Sequence, residues 1–180
     1  RGQRLMWIRD SKHDGRNKAR LCDNGKMTEI PISSVYSGVV SLKSLRTVIF
    51  LAELNDLEAW ATDIGNAYLE AETSERVAIK AGPEFGELEG HTLIIFKALY
   101  GLRSSGLRWA EKFAICLRSM GFFSSRADPC IWMRQVDDIY EYIAVYVDDL
   151  AIASKDPNSI IKTLTEEYNF KLKGTGPISF

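Results

Sequence analysis

Apolar positions recur along this chain in two rhythms, one helical and one strand-like. Leu42, Leu45, Val48, Ile49, Ala52 and Leu57 return at helical spacing, with Ser41 placed to cap the first turn. A second helix is predicted from about Ser105 to Met120, stopping at Gly121, with Trp109, Phe113, Cys116, Leu117 and Met120 as its core-facing stripe. Asp156-Pro157 opens a third, with Asp as cap and Pro in the first helical position. Short apolar, partly β-branched runs predict strands at Ala59–Ile64, Val77–Ile79, Leu93–Phe96, Cys130–Met133, Tyr140–Val147, Leu150–Ala153 and Phe170–Lys173. Residues 1–36 mix strand-like pieces with charges and turn signals such as Asp14-Gly15, Asn24-Gly25 and Ile30-Pro31.

From Ala59 onward the order is strand, helix, strand pair, helix, strand, interrupted by an insertion at about residues 69–104. That order predicts an α+β fold of the split βαβ, ferredoxin-like kind, an antiparallel sheet with helices on one face. In such a sheet the first strand lies beside the central hairpin, so Asp63 comes to face the turn at Asp148-Asp149.

Composition narrows the class. The chain has 180 residues, 46% hydrophobic and 26% charged, enough for one well-packed domain with a small appendage. No apolar run approaches the ~20 residues a membrane-spanning helix needs, so no membrane partner is expected. No signal-peptide pattern is present either, and a first residue of Arg1 rather than Met suggests a piece of something longer. Cys22, Cys116 and Cys130 form no CxxC pair, and only His13 and His91 accompany them. Free thiols are expected, not a zinc site, and carboxylates are the groups left for chemistry. Net charge is −1, but residues 1–26 hold eight Lys/Arg against three Asp. A basic arm before an acidic body suits an anionic ligand meeting both the arm and metal ions; a solvated terminus has the same charge pattern.

The chemistry concentrates in Tyr146-Val147-Asp148-Asp149-Leu150, where two adjacent carboxylates join two apolar strands. Charges so placed are costly unless compensated, and a hard divalent cation such as Mg²⁺ compensates clustered carboxylates. The alternative is a solvated hairpin turn. Asp137-Asp138, flanked by Arg134 and Gln135, supplies a comparison within the chain and reads as an ordinary polar tip. Asp63 adds a third carboxylate, and three on neighbouring strand ends can hold two Mg²⁺ about 3.5–4 Å apart, with Mn²⁺ as the alternative ion. Lys18 and Arg20 are candidates for gripping a triphosphate. Tyr68, preceded by Ala67, could stack under a sugar or sit in the core. Gly101 could admit a nucleotide or template strand close to the backbone, or merely turn the chain.

These residues resemble the reverse transcriptases, and within them the copia-type long-terminal-repeat retrotransposons. Tyr146-Val147-Asp148-Asp149 looks like the YxDD box, and Thr62-Asp63-Ile64-Gly65-Asn66-Ala67-Tyr68 like the first carboxylate motif with its aromatic sugar gate. Ala98-Leu99-Tyr100-Gly101-Leu102-Arg103 followed by Trp109 is similar to the SLYGLKQ…W segment. Lys18-Ala19-Arg20-Leu21 resembles KARLV, and Ser125-Arg126-Ala127-Asp128-Pro129-Cys130 the S-x-x-DPC segment. Two departures stand out: Cys22-Asp23-Asn24-Gly25 after KARL, and Ser104-Ser105-Gly106 where Gln-Ala-Pro is usual.

The resemblance implies a right-hand polymerase palm at residues 59–180, with fingers contributed by 1–58 and the insertion. The thumb and RNase H would lie outside the chain, which stops near the expected primer-grip hairpin. It implies an RNA-directed DNA polymerase joining dNTPs to a primer on an RNA or DNA template. Asp63, Asp148 and Asp149 would be catalytic and metal-binding, with the Ile64 carbonyl assisting. Lys18, Arg20, Ala67 and Tyr68 would bind nucleotide, and Gly101 and Ser104 would touch template or nucleotide. Integrase and RNase H would accompany it in a Gag-Pol-type polyprotein, acting inside the cell in a cytoplasmic virus-like particle or the nucleus. The alternative is a degenerate, inactive retroelement remnant that at most binds nucleic acid.

Overall fold

A computed structural model of the chain describes residues 6–11, 17–22 and 37–178, and it divides into two compact units. One unit comprises residues 38–67 and 111–180, the other residues 1–37 and 68–110. Each is mixed α and β with antiparallel sheet pairing.

The larger unit is built on a six-stranded antiparallel sheet. Its strands are β3 (Glu58–Ile64), β6 (Phe123–Ser124), β7 (Ile131–Val136), β8 (Ile139–Tyr146), β9 (Asp149–Ser154) and β10 (Leu172–Pro177), in the order β10-β3-β9-β8-β7-β6. The first strand therefore pairs directly with the second arm of the central hairpin, as the element order predicts. β6 has no counterpart in the sequence reading, and β10 starts two residues later than expected, with a register shift between Lys173 and Gly176.

Helix α1 (Leu42–Leu54) begins where Ser41 Oγ accepts from the Ser44 backbone N–H at 3.1 Å. The Ser41 N–H in turn donates to Asp128 Oδ2 at 3.0 Å, and the Cys130 N–H donates to Asp128 Oδ1 at the same distance. Burial works against the Asp128 charge, but these bonds and one from Ser44 outweigh it and hold the carboxyl below its ordinary value. The Asp of the S-x-x-DPC segment is thus a bracket between the loop before β7 and the start of α1. Val48 and Ala52 of α1 pack with Val40, Leu57, Ile131, Tyr142, Ala144 and Ala153 on one sheet face.

The opposite face buries the alternate residues Ile64, Ile143, Leu150 and Ile152. Helix α4 (Pro157–Lys162), capped by Asp156 Oδ1 accepting from the Ser159 N–H at 3.2 Å, packs against β3 and β9 and continues as one π turn to Glu167. The C-terminal half of α3 (Ser105–Ser119) meets this face through Arg118, which lies 5.4 Å from the Trp132 ring centroid. All three cysteines are free; burial pushes the Cys116 thiol up to about 12.

Among the described residues, Glu141 is the charged side chain this unit buries. Its Oε2 accepts from Arg134 Nη2 at 2.7 Å and Nε at 3.2 Å, and its Oε1 accepts from Ser154 Oγ. Arg134 also donates to the Met120 carbonyl at 3.0 Å and stacks 4.5 Å over Phe122. One network therefore ties β7, β8, β9 and the end of α3.

The smaller unit holds β1 (Met6–Ser11) paired with β2 (Asn17–Cys22), and β4 (Ala78–Lys80) paired with β5 (Thr92–Ile94). Between β4 and β5 the chain forms the 3₁₀ segment Pro83–Leu88. Val77, Ile79 and Leu102 form one buried cluster in it, flanked by Phe85, Leu93, Ile95 and Leu99. The short helix α2 (Ala67–Glu70) and α3 carry the chain across the division between units. Among the described residues, no helix is long and apolar enough to cross a membrane.

Removing one partner of a buried ion pair strands the other, at a cost of about 3–5 kcal/mol. Arg134 is 28% exposed, so Glu141→Ala is expected near the lower end, about 3 kcal/mol, in urea unfolding. A loss below about 1 kcal/mol, the size of an exposed pair, would show that the network does not hold the sheet.

Candidate functional site

Strand register brings the three predicted carboxylates to one end of the sheet. Asp63 pairs across from Asp149, and Asp149 from Tyr146 on the other arm of the hairpin. Directly opposed residues point to the same face, so Asp63 and Asp149 stand side by side. The two-residue loop Val147-Asp148 closes the hairpin, and the Ile64 N–H donates to the Asp148 carbonyl at 2.7 Å. That bond ties the loop to the end of β3.

Val147 has φ +58°, a left-handed conformation that β-branched residues rarely adopt. Such backbone costs about 1–3 kcal/mol and persists only where its surroundings impose it. The comparison turn behaves otherwise. Asp137 also has positive φ, but Asp can adopt it readily, and Asp137 and Asp138 are both exposed. Asp148 is half-buried, and Asp149 is exposed at the sheet's end.

Partial burial, then the charges of Asp148 and Asp63, push the Asp149 carboxyl above its ordinary value. Among the described residues, however, no three His, Cys, Asp or Glu side chains are gathered into a metal-holding group. Neighbouring like charges repel, so carboxylates brought together by backbone register do not close on each other by themselves. The donor set, three carboxylates that supply hard oxygen ligands, fits a divalent cation in kind.

One residue of this row was not foreseen. Lys173 of β10 pairs across from Asp63, extending the row to Lys173, Asp63, Asp149 and Tyr146. Its chain lies over Gly65, where an added Cβ would stand 3.0 Å from both Cε and Nζ and 3.1 Å from the Lys171 carbonyl. The Gly65 N–H donates to that carbonyl at 2.8 Å. Gly65 thus leaves the space the lysine occupies. The sequence signal was weak: a lysine in a final strand says nothing until register places it.

The remaining predicted residues fall as follows. Ile64 is fully buried, and Ala67 is 1% exposed at the start of α2. Tyr68 belongs to the smaller unit, half-buried, with its ring centroid 4.9 Å from that of Tyr100. Gly101 has φ +95°, a conformation that favours glycine, and turns the chain between Leu99 and Leu102. Ser104 is 3% exposed; its N–H and Oγ both donate to Glu75 Oε1. Lys18 and Arg20 lie on β2, paired across from Asp10 and Ile8, and their side chains fall outside the described residues.

A raised carboxyl pKa means that ionisation opposes folding. The penalty, from burial first and then from the neighbouring carboxylates, is absent below the unfolded pKa and is complete once pH has risen through the folded one. Asp149→Asn should therefore raise the melting temperature of the metal-free chain at pH 7 and leave it unchanged at pH 3, read by differential scanning fluorimetry. Equal shifts at both pH values would mean the effect is not electrostatic.

Residues 3–180 match the family model described as reverse transcriptase (RNA-dependent DNA polymerase). The Retrovirus-related Pol polyprotein from transposon TNT 1-94 of Nicotiana tabacum is 30% identical over 186 residues, covering 97% of this chain and 14% of that polyprotein. The Transposon Ty1-LR2 and Ty1-DR5 Gag-Pol polyproteins of Saccharomyces cerevisiae are each 32% identical over 178 residues, covering 95% of this chain and 10% of theirs. The chain thus spans a small part of the curated relatives it matches. It belongs to the reverse transcriptase family, among the copia-type retrotransposon sequences.

Proposed function

We propose that the chain is the palm and fingers of an RNA-directed DNA polymerase from a copia-type Pol polyprotein. The reaction is nucleotidyl transfer from a dNTP to a primer 3′-OH on an RNA or DNA template. The observation that carries this reading is the register row in which Asp63 faces Asp149, with Asp148 in the tied loop between β8 and β9. The strand order β10-β3-β9-β8, with α3 and α4 on one face, supports the split βαβ palm. Integrase and RNase H would be its neighbours in the polyprotein.

Asp63, Asp148 and Asp149, with the Ile64 carbonyl, would hold two Mg²⁺ or Mn²⁺. Bound there, the ions would lower the pKa of the attacking hydroxyl and neutralise charge on the leaving pyrophosphate. The protein's own part is mainly alignment, because phosphoryl transfer asks chiefly for positioning and charge compensation. Strand register and the Ile64–Asp148 hydrogen bond fix where the carboxylates stand. Lys173 adds a cation to the same row, and Lys18 and Arg20 would meet the triphosphate. Tyr68, one residue beyond Ala67, would lie under the sugar and exclude a 2′-hydroxyl. Gly101 would let the backbone approach the template or nucleotide. Ser104, with both donors on Glu75, would act by holding that turn in place.

Mg²⁺ is expected to raise the melting temperature of the wild-type chain, because a ligand at a hundredfold excess over its Kd stabilises by about 2.7 kcal/mol. Asp63→Asn should remove most of that rise. In primer extension on poly(rA)/oligo(dT), Asp148→Asn should lower any template-dependent synthesis by about a hundredfold or more. A Mg²⁺ shift that survives Asp63→Asn would sink the shared metal site. Synthesis unaffected by Asp148→Asn would sink the catalytic reading, and nucleic-acid binding with no synthesis by the wild type would favour the inactive alternative.

A further inference from the structure

We infer that Tyr100 is the positioning residue for the sugar gate, setting the discrimination of Tyr68 between deoxyribonucleotides and ribonucleotides. The inference rests on the reading of Tyr68 as the residue beneath the sugar. An aromatic ring excludes a single hydroxyl only if it cannot swing aside, so a gate needs a support as well as a position. The two rings meet at 4.9 Å between centroids, tilted by 47°, and both residues are half-buried. This is the range in which aromatic rings attract one another.

Tyr100 is itself fixed by backbone on both sides. It forms a parallel bridge with Cys22 at the end of β2, the strand that carries Lys18 and Arg20. It precedes Gly101, whose φ of +95° turns the chain so that Leu102 enters the core with Val77 and Ile79. Leu99, on its other side, accepts from Ser105 Oγ at 2.6 Å through its carbonyl. Tyr100 therefore joins the strand proposed to meet the triphosphate to the ring proposed to test the sugar. The LYGL segment would carry a specificity function beyond its glycine.

The test is calorimetric binding of dATP and ATP to the full chain with Mg²⁺ and a dideoxy-terminated primer–template, which needs no turnover. The wild type is expected to prefer dATP. Tyr100→Ala and Tyr100→Leu should each shrink the dATP/ATP affinity ratio by about two- to tenfold, the weight of one aromatic pair. Tyr100→Phe should keep it, and Tyr68→Ala combined with Tyr100→Ala should lose no more than Tyr68→Ala alone. Tyr100→Leu keeps the bulk of the side chain, so it serves where the alanine variant fails to fold. An unchanged ratio in Tyr100→Leu, beside a wild type that discriminates and a Tyr68→Ala that does not, overturns the inference and spares the gate. No preference in the wild type, or full preference in Tyr68→Ala, overturns the gate itself and the inference with it.

Discussion

The pairing of β3 with β9 is the constraint on which the candidate site depends. Six successive partners, from Glu58 with Ser154 to Asp63 with Asp149, set two strands in one register. A slip of one residue would turn Asp63 to the face that buries Ile64 and Thr62. The alternation of small apolar and branched residues forbids that slip. Ala59, Ala61, Ala151 and Ala153 share the α1 face, while Ile64, Leu150 and Ile152 fill the other. The core chooses the register, and the register juxtaposes charges that would not approach one another unaided.

The strain is local and the compensation distributed. Val147 holds a conformation suited to glycine, and Asp149 is harder to ionise than an isolated carboxyl. Against these stand the Ile64–Asp148 hydrogen bond, the β8–β9 ladder and the Glu141–Arg134–Ser154 network farther along the same strands. A site that concentrates negative charge is best built at the end of a sheet whose middle is firmly closed. The order seen here, apolar rows followed by a charged terminal row, meets that requirement.

Much of this was legible in the sequence because the signals were local. Ser41, Asp156-Pro157 and Gly121 mark helix ends by their own chemistry, and the Asp-Asp pair stands out against its apolar flanks. The adjacency of Asp63 followed from element order. Other features were opaque for physical reasons. Phe123-Ser124 is too short to show a period, so β6 could not be read. Glu141 sits between two tyrosines near the start of a strand, where a charged residue normally signals solvent, yet it is 4% exposed because Arg134 and Ser154 satisfy it. Lys173 and Gly65 are 108 positions apart and acquire meaning only together. Ser104, expected from the resemblance to touch template or nucleotide, is buried against Glu75, a partner 29 positions away that no local pattern marks.

The Asp128 bracket has a consequence for the order in which the chain can fold. Ser41 meets its partner 87 residues later, and β3 finds Thr175, across from Thr62, 113 residues on. At synthesis rates of about 5–20 residues per second, the bracket partner emerges roughly 4–17 s after Ser41. Helix α1 and β3 leave the ribosome before the rest of the sheet, and β3, flanked by a strand on each side once folded, waits with both edges unpaired. Its neighbours β9 and β10 are made last, so the strand bearing the first carboxylate is exposed longest to mispairing. A longer chain carrying this domain would meet that hazard during translation, before the sheet is closed.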